Sequence, residues 1–111
     1  MVLKESPDAA AEMHRDAFYL DAAVPLVNAR LLPHYVEDLR FGGVDAILTT
    51  VASLEDCHYA VSALADWHAL ANSGAHPFRL CTTVAEFRAA KQDGVLAVGL
   101  AVMYLVQAAR A

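Results

Sequence analysis

The sequence predicts an α/β fold built on a parallel sheet. Three observations carry this. Amphipathic helical patterns alternate with short apolar runs of strand length. The best of those runs, Val44 to Val51, is β-branched and apolar almost throughout, as a strand covered on both faces should be. No internal repeat, low-complexity tract or linker interrupts the pattern, and 111 residues fit a single domain, 1–111.

The elements follow in order. Ser6-Pro7 reads as an N-cap followed by proline in the first helical turn, opening a short helix to about Ala17, with Ala10, Met13 and Ala17 on one face. Phe18 to Val24 is a strand stopped by Pro25. Pro33 to Arg40 is a short helix with Val36, Leu39 and Tyr35 facing inward, and Gly42-Gly43 supplies its left-handed exit. After the Val44–Val51 strand, Ser53 and Asp56 resemble a capping box for the longest helix, about Leu54 to Asn72. Its inward stripe would be Cys57, Val61, Leu64, Trp67 or His68, and Ala71. Phe78 to Cys81 reads as a short strand. Thr83 to Glu86 is a capping box for a helix to about Gln92, with Val84, Phe87 and Ala90 inward. Gly94 stops that helix, and Val95 to Leu100 is the third buried strand. Ala101 to Ala111 reads as a divergent apolar, helical tail.

Composition narrows the function classes. The chain is 58% hydrophobic, but 23 of its residues are alanine, which buries little area, so the core is thinner than that percentage suggests. The net charge is −5 and no stretch concentrates Lys and Arg, so nucleic acid is not an expected partner. Val95 to Val106 is the most apolar run, and it is shorter than the roughly 20 residues of a bilayer span. The N-terminus lacks a secretory h-region, and Cys57 and Cys81 follow no metal or CxxC spacing. Buried thiols in a cytoplasmic protein are the simplest expectation.

Little in the sequence points to catalysis. His58 and His68 stand ten residues apart on one helix and fall on different faces, so they do not share a metal there. Glu55-Asp56-Cys57-His58 places a thiol beside an imidazole, but neighbours on a helix point about 100° apart and do not pair as nucleophile and base. Acids in a first turn suit the helix dipole without further function. Gly42-Gly43 precedes a strand, whereas a phosphate-cradling loop follows one. Asp21 lies near the end of the first strand, where barrel enzymes place catalytic groups, but it stands alone.

Taken together, several segments resemble the N-terminal part of the renal (membrane) dipeptidase family, zinc metallopeptidases with a TIM-barrel fold. His14-Arg15-Asp16-Ala17-Phe18-Tyr19-Leu20-Asp21 resembles the lead into that family's first barrel strand. Asp38-Leu39-Arg40-Phe41-Gly42-Gly43-Val44-Asp45-Ala46 resembles its "DLRxGGV" turn, and the long helix ending in Trp67-His68 fits next. Thr83 to Gly94 resembles its "sxxdixxAkxxGkiav" helix and third strand. The likeness runs from about Asp8 to Leu100. It implies a partial TIM-barrel-like parallel sheet of about three βα units with amphipathic helices.

The departures are chemical. The family's first strand leads into "DGHxDxP", whose His and Asp bind zinc. Here Asp21 matches the leading Asp, and Ala23 and Pro25 stand at the two ligand positions. Neither residue binds a metal. The family's bridging glutamate follows the third strand, around Gly99-Leu100-Ala101, where this chain has alanine. The resemblance therefore implies a truncated member of the dipeptidase family without activity of its own. No catalytic, cofactor-binding or metal residue is assigned and no zinc is expected in this chain. The other reading is a small α/β interaction or assembly module. An incomplete barrel has open sheet edges, which a homo-oligomer or a partner chain would cover.

Overall fold

A computed structural model of the chain describes residues 7–24 and 28–102. Helix α1 (Pro7–Asp16) leads into β1 (Leu20–Val24). A 3-10 turn (Ala29–Leu31) runs into α2 (Leu32–Phe41), followed by β2 (Ala46–Ala52) and α3 (Cys57–Asn72). Then come β3 (Phe78–Leu80), α4 (Val84–Gln92) and β4 (Leu96–Val102). All four strands are parallel and lie in the order β1-β2-β4-β3. The three longer strands are neighbours in chain order, and β3 is a short flank on the outer side of β4. This is the partial barrel-like parallel sheet that the sequence predicts.

Register assigns side chains to faces, because successive residues of a strand alternate. Ala46 aligns with Ala97 and Leu48 with Gly99 on one face, and Ile47 aligns with Val98 and Thr49 with Leu100 on the other. Helices α2 and α3 cover the second face. Their Leu32, Val36, Ala63 and Trp67 pack with Ile47, Val51, Phe78, Leu96 and Val98 in the larger core cluster. Helix α4 covers only the start of the first face, where Ala90 and Phe87 pack on Ala46 and Ala97. The chain steps outward from β2 to β3 and back inward to β4. A right-handed connection then puts α4 on the opposite face from α3.

Several sequence expectations shift on contact with this packing. The long helix starts at Cys57, with Asp56 as N-cap accepting a hydrogen bond from Tyr59 N at 2.8 Å. The carboxylate of Glu55 instead accepts from Ser53 N, ahead of the helix. The buried stripe of α3 is Ala60, Ala63 and Trp67, flanked by Leu64, Leu70 and Ala71. It is rotated from the predicted one, so Cys57, Val61 and His68 face solvent. The buried stripe combines two small residues, Ala60 and Ala63, with one large ring, Trp67, which packs on Phe78.

The predicted faces of α1 and α4 also change. Ala10, Met13 and Ala17 are exposed, and the half-buried residue of α1 is His14. Its ring stacks on Tyr19, with centroids 3.9 Å apart, and its Nε2 lies 2.3 Å from where a Cβ on Gly43 would stand. Gly43 has φ +80°, so both the turn and the ring require glycine there. On α4, Val84 points to solvent, and Tyr35 of α2 does likewise. Thr83 caps α4 by accepting from Glu86 N at 3.2 Å. The return bond of the predicted box goes one residue further back, from Thr82 N to Glu86 Oε2 at 3.1 Å.

Two boundaries move as well. Ala101 and Val102 belong to β4 and are not part of a helical tail, because they continue the ladder with Thr50 and Ala52. Residues 103–111, Ser6 and Pro25 lie outside the described residues.

Lys91 ties distant parts of the chain together. Its ammonium donates to Arg15 O at 3.0 Å, to Ala17 O, and to Asp45 Oδ2 at 3.0 Å. The same Asp45 oxygen accepts from Tyr19 N at 2.8 Å. One amine thus joins the end of α1, the entry to β1, the entry to β2 and the last turn of α4.

The tightest packing sits around Trp67 and Gly99. Trp67 is fully buried and meets Phe78 edge-on, with centroids 6.2 Å apart. Replacing Trp67 by alanine is expected to lower stability by about 3–5 kcal/mol, read from denaturant unfolding. A Cβ on Gly99 would stand 2.5 Å from Leu48 Cδ2 and 3.1 Å from Phe87 Cζ. Gly99→Ala should therefore cost about 1–3 kcal/mol in the same measurement. Both cysteines are free thiols, Cys57 exposed and Cys81 buried. Burial, and then the nearby Glu86 charge, push the Cys81 thiol above its usual value. A colorimetric thiol reagent at neutral pH should label one group per native chain and two after denaturation. Equal labelling of both in the native state would contradict this burial.

Candidate functional site

In a parallel sheet flanked by helices, chemistry gathers where the strands end. Asp21 is exposed on β1, and its Oδ1 accepts from Ala23 N at 3.1 Å, an ordinary turn contact. Ala23 is exposed beside it, a methyl group at the position where the resembled family has a histidine. Beyond β2, Glu55 is the nearest acid. Its hydrogen bond from Ser53 N, followed by one from its own N–H, holds its carboxyl below the usual value. That makes Glu55 an ionised loop staple. Its contribution to the loop is present above the unfolded pKa and is lost as pH falls through the lowered folded one. Ala101, at the end of β4, is exposed and carries no carboxylate.

The histidines do not converge on these strand ends. His58 and His68 are exposed at separate places on α3, His34 is exposed on α2, and His14 is engaged with Tyr19 and Gly43. Among the described residues, no group of three or more His, Cys, Asp or Glu is placed to hold a metal ion. Cys57 and His58 are consecutive on α3, so the thiol–imidazole pairing weighed from sequence has no geometric support.

What the structure does place there is an apolar cleft, which the sequence pattern did not reveal. On the face that α4 leaves open, a cavity of about 400 Å³ is lined by Phe18, Leu20, Leu48, Val84, Phe87 and their neighbours. A second cavity, of about 430 Å³, shares Leu48, Thr82 and Phe87 with the first and extends over Cys81, Gly99 and Leu100. The large side chains around the mouth remain partly in water, with Phe18 41%, Leu20 46% and Val84 67% exposed. The hydroxyls nearby are engaged. Thr83 Oγ1 caps α4 and Thr82 Oγ1 reaches Glu86 Oε1 at 3.4 Å. Cys81 Sγ lies 3.5 Å from Arg79 O as a donor, and its raised pKa keeps it a neutral thiol and a poor nucleophile. The cleft is suited to receiving an apolar surface. Its polar lining includes Arg88 in the first cavity and His68 of α3 in the second.

No protein-family model matches the sequence, and no curated protein matches it. Among solved structures, the chain is similar to an amidohydrolase from Pseudomonas aeruginosa, known from its crystal structure, with a TM-score of 0.69 and 25% identity. The match covers 83% of this chain and 27% of that protein. The chain therefore spans about a quarter of the amidohydrolase's length and has a hydrolase-like α/β fold that corresponds to part of a barrel.

Proposed function

We propose that the chain is a catalytically silent member of the membrane dipeptidase family, built on the first strand–helix units of its zinc-peptidase barrel. Three things support this reading: the hydrolase-like fold, the segment resemblances from Asp8 to Leu100, and the similarity to an amidohydrolase. The observation that carries the silence is Ala23. A dinuclear site that activates water needs several ligands and a bridging carboxylate. In this chain a methyl group stands at the first ligand position, and Ala101 stands near the place of the bridging carboxylate. The residues present do not fit a zinc centre, so no hydrolytic step is assigned to them. A second reading, an assembly module, is favoured by β1, an apolar strand with four of its five residues exposed.

The test is direct. Purified protein supplied with zinc or cobalt should retain no stoichiometric metal by elemental analysis and should hydrolyse no panel dipeptide above the buffer rate. Clear metal-dependent turnover by this chain alone would overturn the reading.

A further inference from the structure

We propose that the cleft beside α4 binds a straight-chain monocarboxylate, its hydrocarbon chain against Leu48 and Phe87 and its carboxylate on Arg88.

The shape comes first. The cavity of about 400 Å³ takes its walls from three elements: Phe18 and Leu20 around the start of β1, Leu48 of β2, and Val84, Phe87 and Arg88 of α4. The cavity of about 430 Å³ shares Leu48, Thr82 and Phe87 with it, so the two run on as one elongated cleft. Both volumes lie in the range of small-ligand sites, which are mostly apolar with a few polar groups that fix orientation. An elongated apolar cleft suits a flexible chain. Phe18, Leu20 and Val84 stand partly or largely in water, and hydrocarbon laid against them removes that surface from it.

Charge selects the head group. Among the described residues, no Asp or Glu lines either cavity. Glu86 of the same helix is turned back to accept from Thr82 N at 3.1 Å. Positions 84, 87, 88 and 91 share one side of α4, so Arg88 stands beside Phe87 and one turn before Lys91. The Lys91 charge is matched by Asp45 at 3.0 Å. Arg88 makes no ion pair or hydrogen bond among the described residues, which leaves its guanidinium as the unmatched charge at the cleft. A guanidinium presents two parallel N–H donors to a carboxylate and repels an ammonium. His68 lines the second cavity only, away from Arg88.

Isothermal titration calorimetry of the purified chain with decanoate, below micelle formation, should give saturable one-to-one binding. Decan-1-ol should bind more weakly and decylammonium more weakly still. Arg88→Gln should weaken decanoate by about three- to fivefold, the scale of an exposed charge pair, and leave decan-1-ol unchanged. Arg88→Lys should recover part of that loss. Arg88 is exposed, so both variants should keep the native circular-dichroism spectrum. Val84→Glu, also at an exposed position, puts a like charge at the mouth and should weaken decanoate more than decan-1-ol. No saturable binding, decylammonium bound as tightly as decanoate, or an affinity for decanoate indifferent to Arg88→Gln would each overturn the proposal. A loss confined to His68→Gln would overturn it too, by moving the head group to the other end of the cleft. So would a doubled mass in light scattering that Val84→Glu returns to the monomer, because a second copy then fills the cleft.

Discussion

The pairing of β2 with β4 is the constraint on which the rest of the structure depends. These two strands have the longest shared register in the sheet, from Ala46 opposite Ala97 to Ala52 opposite Val102. Ile47, Val51, Leu96 and Val98 are fully buried between them and the helices above. The backbone groups of such strands have no water to turn to, so beneath the helices they are satisfied by the ladder itself. The second face of the ladder collects α2 and α3 through Val36, Ala63 and Trp67. The first face collects α4 through Ala90. In an alanine-rich chain, this double coverage of one strand pair concentrates the available apolar area in one place.

Much of this was legible in the residues. The β-branched run at Val44 to Val51 marked β2, and the glycines at 43, 74 and 94 stand at the exits of α2, α3 and α4, each with positive φ. The Thr83 cap was readable because hydroxyl-to-amide capping is local. What could not be read was decided by contacts between distant segments. Helix α3 has apolar residues around much of its circumference. Periodicity alone could not tell that Ala60 and Ala63, rather than Cys57 and Val61, would meet the sheet. The extension of β4 through Ala101 and Val102 is likewise a matter of partners, since only the ladder with Thr50 and Ala52 distinguishes strand from helix there.

The candidate site divides along the same line. That Ala23 and Ala101 offer no donor is legible from sequence, because a methyl group binds no metal in any fold. Its cleft was not visible, because it exists only where Leu48, Phe87 and Gly99 meet from three elements. Gly99 is what lets them meet. Leu48 and Phe87 fold over the space its missing side chain leaves. The region is thus largely apolar, with Arg88 and His68 at its margins.

The Lys91 clasp has a consequence for the order in which the molecule assembles. It joins residues 76 positions apart, from Lys91 Nζ to Arg15 O. Loop closure over that distance carries an entropic cost that local contacts do not. The clasp and the His14 stack tie α1 to the rest of the fold, and the side chains of residues 8–13, 15 and 16 are exposed. The clasp can form only when the end of α1, the entry to β2 and the last turn of α4 are all in place. The N-terminal helix reports on the completeness of the rest, since its anchor is formed only by a finished sheet.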